Sequence, residues 1–346
     1  MDVSLKKLSE LFGVSGHEDE VRKYLRSIAA DRCDKLMTDA MGNLIAFRRG
    51  RSDKKRVLIG SNMDEPGFIV SGITDAGYLK FKTVGSPDPR TAVSKRVVTN
   101  GSVKGVIGMK AIHLQTKKER EAAVEASSLY IDIGCSKRSS AEKRVSLGDY
   151  IAFDIGFKEL GRMIRGKALG RFGTLCVLRA METEPAYDTY YVFSAQREIP
   201  CRIPGRGMAC AAHELRPDAA FIVNVIPASG LGDECGEDAQ LGSGAVIVHS
   251  DRSSIGNSLL TAAVRGAADA KNIKYQEHVC GLYSTEAGAV QTAAKGCITA
   301  CVGIPCRYLD TPVNMMNKND LNGAAELIAA LSGESDVIIN DVEKEL

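Results

Sequence analysis

With 346 residues, 44% of them apolar, the chain is long enough for one large packed α/β domain and a smaller second one. Its 45 Lys and Arg nearly cancel 43 Asp and Glu, and no long basic run occurs, which argues against nucleic acid or an anionic membrane as the main partner. No apolar run approaches the roughly 20 residues of a membrane span, and Met1-Asp2-Val3-Ser4-Leu5-Lys6 lacks the apolar core of a signal peptide. The expectation is therefore a cytoplasmic protein whose ten Cys are reduced thiols.

Near the start, Ser15-Gly16-His17-Glu18 has the Ser-x-x-Glu form of a capping box, and Val21, Leu25 and Ile28 follow at helical spacing. This predicts a helix with His17 in its first turn, not as a metal ligand. After the turn-like stretch from Met37 to Asn43, the runs Leu44 to Phe47 and Val57 to Gly60 read as strands. The second run stops abruptly in Ser61-Asn62-Met63-Asp64-Glu65-Pro66-Gly67. That is the form of a buried strand delivering side chains to the sheet edge where open α/β folds place their sites. Asn62 and Asp64 are two apart and share one face of an extended chain. The arrangement suits a metal ligand and the carboxylate that orients it, except that the first residue is Asn.

From about Phe68 to Asp154, short strand-like runs alternate with Gly-containing turns, as in Tyr78-Leu79-Lys80-Phe81 and Gly101-Ser102-Val103-Lys104-Gly105. The pattern predicts a small β-barrel or sandwich inserted into the α/β domain. The expected division is residues 1–66 and 163–346 for the α/β part and 67–162 for the insert. Beyond it, a helix is expected from Phe172 to Met181, and a strand from Thr189 to Ala195 that ends in Gln196-Arg197-Glu198. Further strands are expected at 220–225, 245–248 and 298–304, with helices at 207–215 and 258–270 and a closing amphipathic helix from Leu321 to Leu331. Polar residues end these strands, so several ends can converge on one site. The acidic stretch Gly232 to Asp238 is expected at the surface.

The other candidates are weak. Cys297, Cys301 and Cys306 are separated by a run that reads as a core strand, so they cannot converge on one zinc. Cys210 and His213 lie three apart on a helix, but nothing marks the thiol as activated, and packing is the expectation for it. Gly205-Arg206-Gly207 is too short to mean a nucleotide site.

The chain resembles the M42 metallopeptidases, cytosolic di-metal aminopeptidases that include glutamyl aminopeptidases and the tetrahedral TET peptidases. The landmarks run in order from Gly13-Val14-Ser15-Gly16-His17-Glu18-Asp19-Glu20-Val21, through Met63-Asp64-Glu65-Pro66-Gly67-Phe68 and Gly166-Lys167-Ala168-Leu169, to Cys306-Arg307-Tyr308-Leu309-Asp310-Thr311-Pro312-Val313. The resemblance implies a zinc-peptidase-like α/β/α domain with an inserted β-barrel-like dimerisation domain. It also implies two metals held by two His and three carboxylates, with a separate Glu that activates the bridging water.

Those parts map poorly. The first His position falls on Asn62, the bridging Asp on Gly170, the general base on Arg197, the next ligand Asp on Asn224 and the last His on Asp310. Only the ligand position at Glu198 is unchanged; Asp64, which would orient the missing His, also remains, and Arg307 and Tyr308 match the motif near the family's substrate pocket. The five His residues (17, 113, 213, 249 and 278) all fall outside these positions. A guanidinium roughly 5 Å from a divalent ion costs about 7 kcal/mol at an effective dielectric near 20, a further objection to a metal beside Arg197. No metal cofactor is therefore expected.

The leading expectation is a catalytically impaired M42-like protein with a binding, scaffolding or regulatory role. By resemblance it self-associates through the insert, as a dimer or a dodecamer, or co-assembles with an active paralogue. Arg197 then either joins Glu198, Asp64 or Asp310 in a salt-bridge network, or binds a peptide or small anionic ligand. The alternatives are an active aminopeptidase with two zinc or cobalt ions held by Glu198, Asp310 and Asp64, and a metal-free hydrolase using an acid/base pair of these carboxylates.

Overall fold

The computed structural model describes residues 3–199, 204–228, 239–279, 281 and 283–345. Its centre is a large twisted sheet with the strand order β1-β2-β12-β3-β13-β16-β17-β11-β10. In chain order these are β1 (Lys35–Thr38), β2 (Leu44–Arg48), β3 (Ser52–Asn62), β10 (Lys158–Leu160), β11 (Met163–Gly166), β12 (Tyr187–Ser194), β13 (Ala219–Pro227), β16 (Ile298–Arg307) and β17 (Asn314–Asn317). Two more, β14 (Ala245–Ser250) and β15 (Tyr275–Val279), branch from β16. The central β12, β3, β13 and β16 run parallel. Such strands are covered on both faces, which is why β13 reads as an almost unbroken apolar run and is buried from Ala219 to Ile226.

Helices close both faces. Gly173–Ala180, Ser258–Ala270 and Lys318–Gly333 pack on one side with Leu178, Val264 and Leu327 buried in the larger core, while Arg206–Leu215 and Ala287–Gln291 cover the other. The helix beginning at Gly173 starts so close to the sheet that a Cβ there would lie 2.2 Å from Ser61 Oγ and 2.9 Å from the Val223 carbonyl oxygen. Only Gly permits that approach, and it seats the preceding turn, Leu169–Phe172, against the ends of β3 and β13.

Between β3 and β10, the strands β4 (Gly67–Ile73), β5 (Leu79–Val84), β6 (Arg96–Thr99), β7 (Val103–Gly108), β8 (Tyr130–Asp132) and β9 (Tyr150–Phe153) form a closed antiparallel barrel ordered β4-β5-β8-β7-β6-β9. Phe68, Phe81 and Phe153 meet edge to face in its core. Closure leaves no unpaired strand edge.

Three local expectations need correction. The helix near the N-terminus spans Asp19–Ala29 and has no side-chain cap. Gly16 sits at φ 89° and turns the chain, so Ser15 and Glu18 reach elsewhere and His17 lies before the helix, stacked on Tyr150. The helix Lys318–Gly333 does not close the chain, since a second one, Ser335–Glu345, follows and buries Ile338, Ile339 and Val342. Cys210 is exposed rather than packed, because it lies on the outer face of Arg206–Leu215 while Met208, Ala211 and Ala212 face the sheet. The acidic stretch 232–238 lies outside the described residues. No helix among the described residues is long and apolar enough to cross a membrane.

Candidate functional site

The ends of β3, β12 and β13 converge. Ser194 at the end of β12 is level with Asn62 at the end of β3. Ile222 on β13 is level with Gly60, which places Asn224 beside Asn62 on the same face two residues further on. The segments that follow β12 and β16 carry Arg197, Glu198 and Asp310 to the same edge, where they line a narrow cleft with a free volume of about 30 Å³, space for about two water molecules. Asp64, Gly170 and Tyr283 also line it.

Beneath the cleft runs a buried chain of hydrogen bonds. Ser15 Oγ (2.6 Å) and the Glu198 N–H (2.9 Å) donate to Asp64 Oδ2, and Asn62 Nδ2 donates to Asp64 Oδ1 at 3.1 Å. Asn224 Nδ2 donates to Asn62 Oδ1 and to Glu286 Oε2, each at 3.3 Å, while the Glu286 N–H returns a bond to Asn224 Oδ1 at 2.8 Å. Ser194 Oγ donates to Glu286 Oε1 at 2.5 Å. Asn62, Asp64, Asn224, Ser194 and Glu286 are each no more than 1% exposed, so every bond replaces water that these groups have lost.

Glu286 was not singled out by the sequence. It stands in Thr285-Glu286-Ala287-Gly288-Ala289-Val290, and a charged residue abutting a small, apolar run was the only signal. Asp251 holds this segment through the Thr285 N–H and hydroxyl, 3.0 Å for the former.

Arg197 is 8% exposed. Its Nη1 pairs with Glu198, and its Nη2 donates to the Tyr283 hydroxyl and, at 3.1 Å, to the Ser284 carbonyl. The guanidinium also lies 5.2 Å from the Tyr283 ring centre. Of the three acidic partners open to Arg197, the ion pair forms with Glu198. Burial works against its charge, but Tyr283, Glu198, Glu286 and Asp64 around it outweigh that and hold it charged.

Burial pushes the Glu198 carboxyl up to about 7, opposed by Arg197 and reinforced by Asp64 and Asp310. Burial likewise lifts Glu286 to about 7 against the bond from Ser194 and the charge of Arg197. Glu18, buried beside Asp64, also rises to about 7 through loss of water first and the Asp64 charge second. Asp310, at the mouth, is raised by partial loss of water, which Arg197 opposes. A second buried set places Glu65 against Lys167 Nζ and Arg171 Nη2 at 2.9 Å each, two cations on one carboxylate.

Four of the non-glycine residues with left-handed backbone stand in or beside the cleft: Ala168 (φ 54°), Gln196 (φ 57°), Tyr308 (φ 61°) and Asp310 (φ 62°). Strained conformations of this kind persist where the surroundings over-determine them. Here the Asp88 N–H, from the barrel side, fixes the Asp310 carbonyl at 2.9 Å, and Asn314 Nδ2 fixes the Tyr308 carbonyl at 2.7 Å. These turns bring Leu309 and Asp310 into the cleft, while Tyr308 is 48% exposed and Arg307 ends β16 half-buried. Among the described residues no three His, Cys, Asp or Glu are grouped to hold a metal ion.

The family model for M42 glutamyl aminopeptidase matches residues 42–327, most of the chain. The chain belongs to this family. Among its relatives, a putative aminopeptidase of Acetivibrio thermocellus is 31% identical over 328 residues, covering 94% of this chain and 96% of the relative. The lysyl aminopeptidase of Pyrococcus furiosus is 27% identical over 352 residues, covering 95% and 96%. Among solved structures, the TET aminopeptidase of a marine sediment thaumarchaeon superposes with a TM-score of 0.92 at 29% identity, over 97% of each chain. The TET1 peptidase of Pyrococcus horikoshii, which can assemble into a tetrahedron or a large octahedral shell, has a TM-score of 0.84 at 30% identity, covering 95% of this chain and 98% of that one. The M42 fold, an α/β body carrying a closed antiparallel barrel, is therefore the fold of this protein.

Proposed function

We propose that this M42 homologue is catalytically impaired and serves as a binding, scaffolding or regulatory subunit of an oligomer. The observation that carries the reading is the direct bond between the Asn62 and Asn224 carboxamides, with the Arg197 guanidinium buried against Glu198 in the adjoining cleft. On the correspondence drawn from the M42 resemblance, positions 62, 224 and 197 would supply two metal ligands and the general base. The Asn62 carbonyl oxygen accepts from Asn224 Nδ2 and the Asn224 carbonyl oxygen accepts from the Glu286 N–H, and a neutral carboxamide is a poor ligand for a divalent transition metal in any case. Gly170 contributes no donor, and a fixed cation stands beside Glu198. This donor set does not fit a di-metal centre.

Self-association is supported by the shells that the related TET1 peptidase forms. The barrel segment, taken as residues 67–162, is the expected contact between copies, as a dimer, a dodecamer or a mixed assembly with an active paralogue. The test is metal analysis of protein purified without chelator, combined with aminopeptidase assays in added zinc, cobalt or manganese. The expected result is less than about a tenth of an equivalent of metal and no turnover. Metal near two equivalents per chain with release of N-terminal residues would establish the rebuilt-site aminopeptidase instead.

A further inference from the structure

We infer that Ile255 and Val279, side by side at an open end of the large sheet, form a second contact between copies of this chain, one that repeats around a three-fold axis and links barrel-joined pairs into a shell. This contact presupposes the self-association proposed above and adds the surface that pairing through the barrel leaves out.

Ser250, the last residue of β14, is bridged to Ile255 on one side and to Val279, the last residue of β15, on the other. Bridged residues carry their side chains on one face of a sheet, so the two aliphatic groups flank Ser250 about 10 Å apart, two strand spacings. Ile255 is 76% exposed and Val279 64%, more than any other large apolar residue described in the α/β body. Single exposed apolar residues are ordinary, but neighbouring ones mark a contact surface. Polar groups surround them: His249 and Arg265 both meet Glu277, and Arg252 is exposed. An apolar centre with a charged rim is the anatomy of a contact between proteins. Among the described residues β15 pairs only with β14, so beside Val279 the sheet ends in unpaired N–H and C=O groups, an edge of the kind that native proteins cover or blunt.

A second copy is the occupant that symmetry calls for. Shells of tetrahedral or octahedral form, which the related TET1 peptidase can build, have three-fold as well as two-fold axes. An isologous contact joins two copies and stops there, so pairs become a shell only through a heterologous contact that closes on itself, here after three copies. The barrel, the expected two-fold contact, leaves the sheet after β3 and returns at β10, whereas β14 and β15 branch from β16, so the two surfaces belong to different parts of the chain. Close to a rotation axis each side chain meets its own copies. A Lys or Glu there would repel itself, while Ile and Val bury one another.

The test is native mass spectrometry and light scattering of the full chain, comparing the unmodified protein with the combination of Ile255→Lys and Val279→Lys. The unmodified protein is expected as a shell and the double variant as dimers, with an unchanged circular dichroism spectrum because both side chains already face water. Ile255→Ser alone is expected to raise the concentration at which the shell falls apart about tenfold or more. Val337→Lys, at a lone exposed aliphatic on the helix Ser335–Glu345, should leave the shell intact. A double variant that still forms the shell would overturn the proposal. Trimers would overturn it as well, since they would place the patch on the two-fold contact, and so would equal dissociation by Val337→Lys. An unmodified protein that stops at dimers overturns this contact and leaves the barrel pairing standing, whereas a monomer defeats the self-association reading itself and this contact with it.

Discussion

Replacing Arg197 by Ala removes the one cation among Asp64, Glu198 and Glu286, all largely or wholly buried. Breaking a buried pair by deleting one partner typically costs about 3–5 kcal/mol, because the remaining charge is stranded. Two of the stranded groups can respond by holding a proton. Glu198 and Glu286 already lie near 7, Arg197 lowers both, and its loss raises both further. At pH 5.5 each carboxyl is protonated with or without Arg197, so the loss is confined to packing and the bonds to Tyr283 and Ser284. At pH 8, one unit above about 7, each carboxyl can add no more than about 1.4 kcal/mol, the cost of holding the proton there. The expected loss is therefore about 4 kcal/mol at pH 8, smaller by about 1–3 kcal/mol at pH 5.5. Urea denaturation at both pH values measures it, with Arg197→Met as a control that keeps the apolar stem. A loss that is equal at the two pH values, or below about 1 kcal/mol at pH 8, would refute the claim that Arg197 neutralises a buried carboxylate cluster.

The unmodified protein should itself lose stability as pH rises. Glu286 moves from an ordinary 4.5 to about 7 on folding, so the folded state binds more protons between those values; the loss by pH 8 is about 3 kcal/mol, and Glu286→Gln should flatten the pH profile of unfolding free energy. Asn224→Ala orphans the Glu286 N–H and the Asn62 carbonyl together and should cost about 2–4 kcal/mol by denaturant titration. Gly170→Asp should fold with a change within about 1 kcal/mol, since its Cβ enters open space. Asn62→His combined with Arg197→Glu should restore neither metal uptake nor peptide cleavage, because positions 170 and 224 still lack ligands; metal analysis and a chromogenic peptidase assay check this.

The legible part of this site was the part written in local pattern. A buried strand that stops at Asn62-Met63-Asp64 announces a sheet-edge site through period and composition alone, and the Asn62–Asp64 bond follows from their shared face. The partner of Arg197 was readable only as a choice among three acids, since the choice depends on how the turn after β12 meets the one after β16. Tyr283 was not readable at all, Glu286 only as a charge abutting a small apolar run, and Ser15 only as a helix cap that it does not form. They arrive from segments far apart in the chain, and their roles arise from strand order and from Gly16 turning the backbone before the first long helix. The capping-box expectation failed for the same reason: Ser15 and Glu18 have the right spacing, but Asp64 and the Gly16 N–H offered them better partners.

The polar groups at positions 62, 197 and 224 depend on one another, and that bears on whether the metal-ligand set implied by the M42 resemblance could be introduced one step at a time. Asn224 donates to Glu286 and accepts from its N–H. An Asp at that position would set a carboxylate against the Glu286 carboxylate at about the same separation, with no proton between them until one of the two took it up. A His at position 62 would face the same Asn224 amide without the carbonyl that now accepts from it. Removing Arg197 first strands Glu198 and Asp64. Changing position 62, 197 or 224 alone is thus destabilising until the others are changed with it, whereas position 170, whose Cβ faces open space, stands outside this coupling. A buried polar network in which every partner depends on the next resists single substitutions, and for the same reason it holds the floor of the cleft in a fixed shape.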